Sequence, residues 1–245
     1  MLKSVHSTEL QLNIKRPFLI GGLTPLTTID FPDHLSTVIF CQGCSWRCAY
    51  CHNSHLIPRN IKTEINWQDV QFFLKKRQGF LDGVVFSGGE PLLQRRLPEM
   101  IDDLRQMGFD VAMHTTGSVP ARFRTVLPKL SWVGFDIKGP FSHYEKITGV
   151  AKSEIQALQS LELLLESGVN YEVRTTVDPL ILTETDILEL AAELSNLGVK
   201  HYVLQQCRPI ESNVTVHFNT VDLKPDSEIA TQLNDLFETF SIRTY

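Results

Sequence analysis

Apolar and polar positions along the chain fall into two kinds of segment that take turns. Short runs rich in Val, Ile, Phe and Tyr, read as strands, cover 36–40, 83–86, 110–114, 132–137, 171–177 and 202–206. Between them, apolar residues recur at three- and four-residue spacing over 67–76, 98–107, 121–127, 155–166 and 186–197, which predicts helices, and 227–240 reads as a final one. Asn66 is placed as an N-cap, and Gly108, Gly168 and Gly198 each follow a last helical turn, where a left-handed residue ends the helix at little cost. Strictly alternating strands and helices predict a parallel sheet covered by helices, an α/β fold.

No linker rich in Pro, Gly or Ser and no low-complexity tract interrupts the pattern, so 1–245 reads as one domain: an N-terminal extension over 1–20, a core over 21–209 and a C-terminal strand or helix extension over 210–245. A length of 245 residues suits one α/β barrel, and 42% hydrophobic residues place the chain in the globular range. The formal net charge of -5 and the absence of a dense Lys/Arg block argue against a polynucleotide partner. No segment is apolar enough for a membrane span, and residues 1–15 lack the apolar centre of a signal peptide.

The chemistry is concentrated in cysteine. Cys44, Cys48 and Cys51 form a Cys-x3-Cys-x2-Cys triad, a spacing with which one loop can hold three corners of a [4Fe-4S] cluster. Three thiolates leave the fourth iron open, and an open iron invites chemistry rather than electron storage alone. Cys41 extends the run to four, but only three residues separate the two Cys-x2-Cys pairs, too few for the two knuckles of a structural zinc site. A ferredoxin would carry Cys-x2-Cys-x2-Cys and usually a matching second motif; here the remaining cysteine is Cys207, far down the chain. Five cysteines, an odd count with four in one loop, fit a thiolate site in a reducing compartment, and so a cytoplasmic location. Cys207 and Cys41 read as small buried residues at strand ends.

A second element follows the strand at 83–86: Ser87-Gly88-Gly89-Glu90-Pro91. Two glycines directly after an apolar run let backbone groups approach a ligand, although alone the turn is also an ordinary strand-to-helix connection.

Taken together, the triad with Tyr50 before its last cysteine and the Gly88-Gly89-Glu90 turn resemble the radical S-adenosylmethionine enzymes. That resemblance implies a [4Fe-4S] cluster on Cys44, Cys48 and Cys51, S-adenosylmethionine on the open iron, Gly88, Gly89 and Glu90 at its methionine end and Tyr50 near its adenine. A closer similarity, to the activating proteins of anaerobic ribonucleoside-triphosphate reductase, rests on Thr28-Ile29-Asp30-Phe31-Pro32, Cys51-His52-Asn53, Asp136-Ile137-Lys138 and Val173-Arg174-Thr175-Thr176-Val177. It implies a glycyl-radical activase whose protein substrate is that reductase or another glycyl-radical enzyme. A flavodoxin- or ferredoxin-type protein would serve as electron donor. Two departures stand out. Cys41 occupies a position where a small polar residue is expected, and His114-Thr115-Thr116-Gly117 replaces the Asp-Thr-Asn-Gly of related activases.

Six strand-helix units are too few for the usual eight-stranded barrel, and the resemblance implies an open (βα)6 partial barrel. Each motif then sits at the C-terminal end of a strand, the rim where barrel enzymes assemble their sites. Thr115 and Thr116 end the third strand, Asp136 and Lys138 the fourth, Arg174 the fifth, and all five are candidate cofactor-binding residues. Two-residue spacing puts Asp136 with Lys138, and Glu172 with Arg174 and Thr176, on common faces, while Gln205 and Gln206 point oppositely. A structural ion pair and a ligand clamp are both open for Asp136 with Lys138. Two rival functions also stand: a radical enzyme acting on a small molecule, and an iron-sulfur electron-transfer module without catalysis.

Overall fold

A computed structural model describes residues 17–208, 221 and 223–244. Eight strands form one sheet in chain order: β1 (Ile20–Thr27), β2 (Ser36–Cys41), β3 (Gly83–Gly88), β4 (Asp110–Thr115), β5 (Trp132–Asp136), β6 (Asn170–Val177), β7 (His201–Gln206) and β8 (Thr239–Arg243). β1 runs antiparallel to β2; every later neighbour is parallel. Sequential order without reversal means each crossover steps the same way, so the helices all cover one side and the sheet curls around the other.

The helices are α1 (Trp67–Lys75), α2 (Leu97–Gln106), α3 (Pro120–Val126), α4 (Tyr144–Thr148), α5 (Ser153–Ser167), α6 (Glu184–Asn196) and α7 (Glu228–Asn234). The Asn66 side chain caps α1 by accepting from the Asp69 N–H at 3.0 Å, and Thr183 with Asp186 forms a capping box on α6. The strand and helix core expected from sequence is present, with ends shifted by one or two residues. The final helix, expected over 227–240, stops at Asn234, and the chain turns into β8. Phe237 and Phe240 keep a helical spacing, yet Phe240 and Ile242 alternate with Ser241 and Arg243 once Thr239 pairs with His201. β1 was hidden by Gly21, Gly22 and Pro25, which break its alternation. Most of the predicted N-terminal extension, residue 209 of the core, and 210–220, 222 and 245 of the C-terminal extension lie outside the described residues.

The sheet separates two apolar layers. On the helix side, Leu74, Ile101, Leu104, Val126, Leu161 and Leu190 belong to one continuous core against the strands. On the concave side, Val38, Val85, Ala112 and Trp132 gather around Phe31, which reaches in from the β1–β2 loop. Phe31 stacks on His34 with ring centroids 3.7 Å apart. Gly83 makes room for it, since a Cβ there would lie 2.8 Å from the Phe31 ring. The loop therefore floors the lumen from below and leaves the opposite end of the strands as its mouth.

Candidate active site at the barrel mouth

Alternation along β2 sends Val38 and Phe40 to the lumen and Ile39 and Cys41 to the helix layer. Cys41 is fully buried there, and burial raises its thiol far above the usual range. The three later cysteines lie beyond the strand, partly exposed. Their loop is held by backbone: Gly43 N–H donates to Leu56 O at 2.7 Å, Cys44 N–H to Ile57 O at 3.1 Å, and Cys51 N–H to Cys48 O at 3.1 Å. Two glutamines brace its base. Gln42 Nε2 donates to Pro58 O at 2.7 Å, and Gln94 Nε2 donates to Gln42 O at 2.6 Å. Neither was legible as part of the site from sequence.

Aromatic residues fasten the same loop to the segment that follows β5. Trp46, 1% exposed, meets the Tyr144 ring edge-on at 5.6 Å, and buried Tyr50 donates its hydroxyl to Lys138 O at 3.4 Å. His52 Nε2 lies 2.9 Å from Arg208 O and 3.8 Å from Cys207 Sγ, which ties the loop to the end of β7. Burial, then the nearby Glu90 carboxylate, pushes the Cys44 thiol up to about 12; burial raises Cys48 as well. Burial therefore favours the neutral thiol at both positions, a preference that a bound metal cation would oppose.

The end of β3 lies directly against this loop. Gly88 has φ +108°, and a Cβ on it would come within 2.5 Å of Cys41 N; one on Gly89 would come within 2.3 Å of Gly43 O. The contact is a backbone one, with Gly89 N–H donating to Cys41 O at 2.9 Å and Glu90 N–H to Gly43 O at 2.8 Å. Glu90 then turns inward. Its carboxylate, with no exposed surface, accepts from Leu92 N–H (3.0 Å), Thr115 Oγ1 (2.7 Å), Thr116 N–H (3.0 Å) and Thr116 Oγ1 (2.6 Å). Burial raises its pKa even against those four donors. Glu90 is thus a strut between the β3 and β4 rims, and the Thr115 and Thr116 hydroxyls are committed to it.

Inside the mouth, Asp136 is shared. Arg174 Nε donates to its Oδ1 at 2.9 Å and Lys138 Nζ to its Oδ2 at 3.3 Å. Burial alone would raise Asp136, but the Arg174 and Lys138 cations hold it down at about 2. Burial pulls Lys138 down while Asp136 and Cys48 raise it, and the net direction is up. Gly134 lets Arg174 cross the lumen, because a Cβ there would sit 2.7 Å from the guanidinium. His114 also faces inward, with Nε2 2.7 Å from Asp30 O; burial and the Arg174 charge lower its pKa to about 4, so the ring is neutral. Deeper, Glu172 accepts two bonds from Arg243 at 2.7 and 2.6 Å. The predicted common faces hold, but Glu172 belongs to a separate layer below Asp136 and Arg174. That pairing could not be foreseen without β8.

The thiol triad can be tested against the group it implies. A [4Fe-4S] cluster with one open iron takes one thiolate for each of three irons. Cys44, Cys48 and Cys51 supply three such thiols, partly exposed, on one loop braced by backbone hydrogen bonds, and this donor set fits the group.

A curled parallel sheet with a partly exposed thiol loop and a cationic lumen at its C-terminal mouth defines a barrel metalloenzyme. The profile of the Radical SAM superfamily matches residues 38–194, and the chain belongs to that superfamily. Its members use a [4Fe-4S] cluster and S-adenosylmethionine. A Methanocaldococcus jannaschii protein whose name assigns it to the glycyl-radical enzyme activating enzymes is 31% identical over 201 residues, covering 78% of this chain and 80% of that one. The pyruvate formate-lyase-activating enzyme of Clostridium pasteurianum is 28% identical over 213 residues, 83% of each. In fold, the chain is similar to SuiB of Streptococcus suis bound to S-adenosylmethionine, with a TM-score of 0.60 at 13% identity. That match covers 83% of this chain and 45% of the longer one. No described helix is long and apolar enough to cross a membrane.

Proposed function

We propose that this chain is a glycyl-radical activase acting on anaerobic ribonucleoside-triphosphate reductase, with Cys44, Cys48 and Cys51 holding the [4Fe-4S] cluster. The observation that carries this reading is a braced three-thiol loop at an open barrel mouth, in a chain whose similarity to two activating enzymes runs through most of its length. When bound, the cluster and S-adenosylmethionine supply a reductively generated 5′-deoxyadenosyl radical that abstracts a hydrogen atom.

The residues of the chain supply position and enclosure. Gly88 and Gly89 bring bare backbone beside the thiol loop, where the methionine end of the cofactor would lie. Lys138 and Arg174 set two cations against the single Asp136 carboxylate, an arrangement suited to a cofactor carboxylate. Tyr50, within the thiol loop, donates its hydroxyl to Lys138 O, on the nucleoside side. Phe31 and Trp132 close the floor, keeping bulk water from a reactive intermediate. The open rim admits a protein loop bearing the target glycine, and a flavodoxin- or ferredoxin-type carrier delivers the electron.

The test is anaerobic incubation of the reconstituted, reduced protein with the reductase and S-adenosylmethionine, followed by electron paramagnetic resonance. A glycyl doublet supports the activase. Cofactor cleavage without the doublet would reassign the chain to a small-molecule substrate, and no cleavage at all would leave an electron-transfer module.

A further inference from the structure

From His34 to Thr63 the sequence holds no Asp or Glu, in a chain that has 28 of them against 23 Lys and Arg. The same span carries Arg47, Arg59 and Lys62, all exposed. The structure shows where this one-signed stretch lies. Arg47 stands between Cys44 and Cys48, its backbone N–H fixed to Thr148 O at 2.8 Å. Arg59 is on the return arm whose Leu56 and Ile57 carbonyls accept from Gly43 and Cys44, its Nε donates to Cys44 O at 3.3 Å, and Lys62 follows three positions further along. Glu64 ends the run, and Arg96 is neutralised by Glu99.

We infer that this basic outer face of the thiol loop is the docking surface for the one-electron donor, and that the donor is a small redox protein of acidic surface. The inference rests on the cluster assignment and the activase reading above. Electron transfer slows steeply with distance, so a donor must approach the loop itself. The lumen side of that loop is enclosed by Lys138, Asp136 and Arg174 and is where cofactor and substrate would sit, which leaves the outer face. A net charge of -5 over the chain repels an acidic partner in general, and the acid-free stretch is where the repulsion reverses. Complementary charge of this kind acts mainly on the rate of encounter and on orientation.

The experiment follows 5′-deoxyadenosine formation by the reconstituted full-length protein with either reduced flavodoxin or dithionite as reductant. Lys62→Glu, outside the cysteine span, should lower the flavodoxin kcat/KM roughly 3- to 10-fold at low ionic strength, leave the dithionite-driven rate within about twofold, and flatten the salt dependence. Adding Arg47→Glu should deepen the loss to roughly 10- to 100-fold, read as the ratio of the flavodoxin-driven to the dithionite-driven rate so that a defect in the cluster loop itself cancels. A flavodoxin kcat/KM unchanged within about twofold overturns the proposal. So does loss of dithionite-driven glycyl radical formation on the reductase with cleavage intact, which would assign the face to the radical acceptor. A wild-type protein that dithionite cannot drive overturns the activase reading first, and the docking surface with it.

Discussion

Replacing Glu90 by Gln separates a structural strut from a cofactor ligand. In the wild type, one carboxylate oxygen accepts from Leu92 N–H and Thr115 Oγ1, the other from Thr116 N–H and Thr116 Oγ1, all at 2.6 to 3.0 Å. An amide has one accepting end. The hydroxyls of Thr115 and Thr116 can turn and accept from the new NH2, but a backbone N–H cannot, so whichever way the amide lies either Leu92 or Thr116 loses its acceptor. A buried donor left unpaired costs about 1–3 kcal/mol, and weakening the charge-assisted bonds adds to it. The expected loss is therefore about 2–4 kcal/mol in the unfolding free energy of the apoprotein, measured by urea denaturation under reducing, anaerobic conditions. Because the side chain has no exposed surface, any fall in S-adenosylmethionine affinity should follow from displaced Gly88 and Gly89 and be partial. A variant with stability unchanged within about 0.5 kcal/mol and binding abolished would refute the strut and make Glu90 a direct ligand.

Cys48→Ala should lose most of the iron after reconstitution and all cofactor cleavage, whereas Cys41→Ser, at a buried position on the helix side of β2, should retain the cluster; iron analysis decides, and full iron in the first or little in the second would show that the wrong three thiols were chosen. Phe31→Ala removes the floor of the lumen and should cost about 3–5 kcal/mol in thermal or urea unfolding, since a fully buried aromatic leaves a cavity. Asp136 has a depressed pKa, about 2 against the ordinary 3.8, so it contributes stability above pH 4 that is lost as pH falls toward 2. The stability gap between wild type and Asp136→Asn should accordingly narrow by about 1 kcal/mol from pH 7 to pH 3, and a gap independent of pH would sink the ion-pair assignment.

What could be read from sequence and what could not divides along the range of the interactions. The six inner strands were legible because each is buried on both faces and flanked by amphipathic helices, so local periodicity and tertiary burial agree. β1 and β8 were not, since edge strands are held by pairing more than by their own pattern, and β8 sits behind a helical spacing that ends only because Thr239 finds His201. The thiol triad announced itself through spacing within eight positions. The residues that hold it rigid did not: Gln42 and Gln94 lie 52 positions apart, and neither belongs to a motif whose chemistry would mark it.

Gly134 shows why such residues escape. In sequence it is a weak point inside a strand, between Val133 and Phe135, with no turn to explain it. In the folded sheet it is where the Arg174 guanidinium crosses to Asp136, and a Cβ there would lie 2.7 Å from that guanidinium. Its reason for being glycine is a side chain forty positions later on the neighbouring strand, fixed only once Gly134 pairs with Glu172 in the β5–β6 register. Gly88 at its strand end declares a close approach through the turn that follows it, whereas Gly134 in mid-strand answers to a crossing side chain. Sequence alone gives the first kind a motif and leaves the second to the structure.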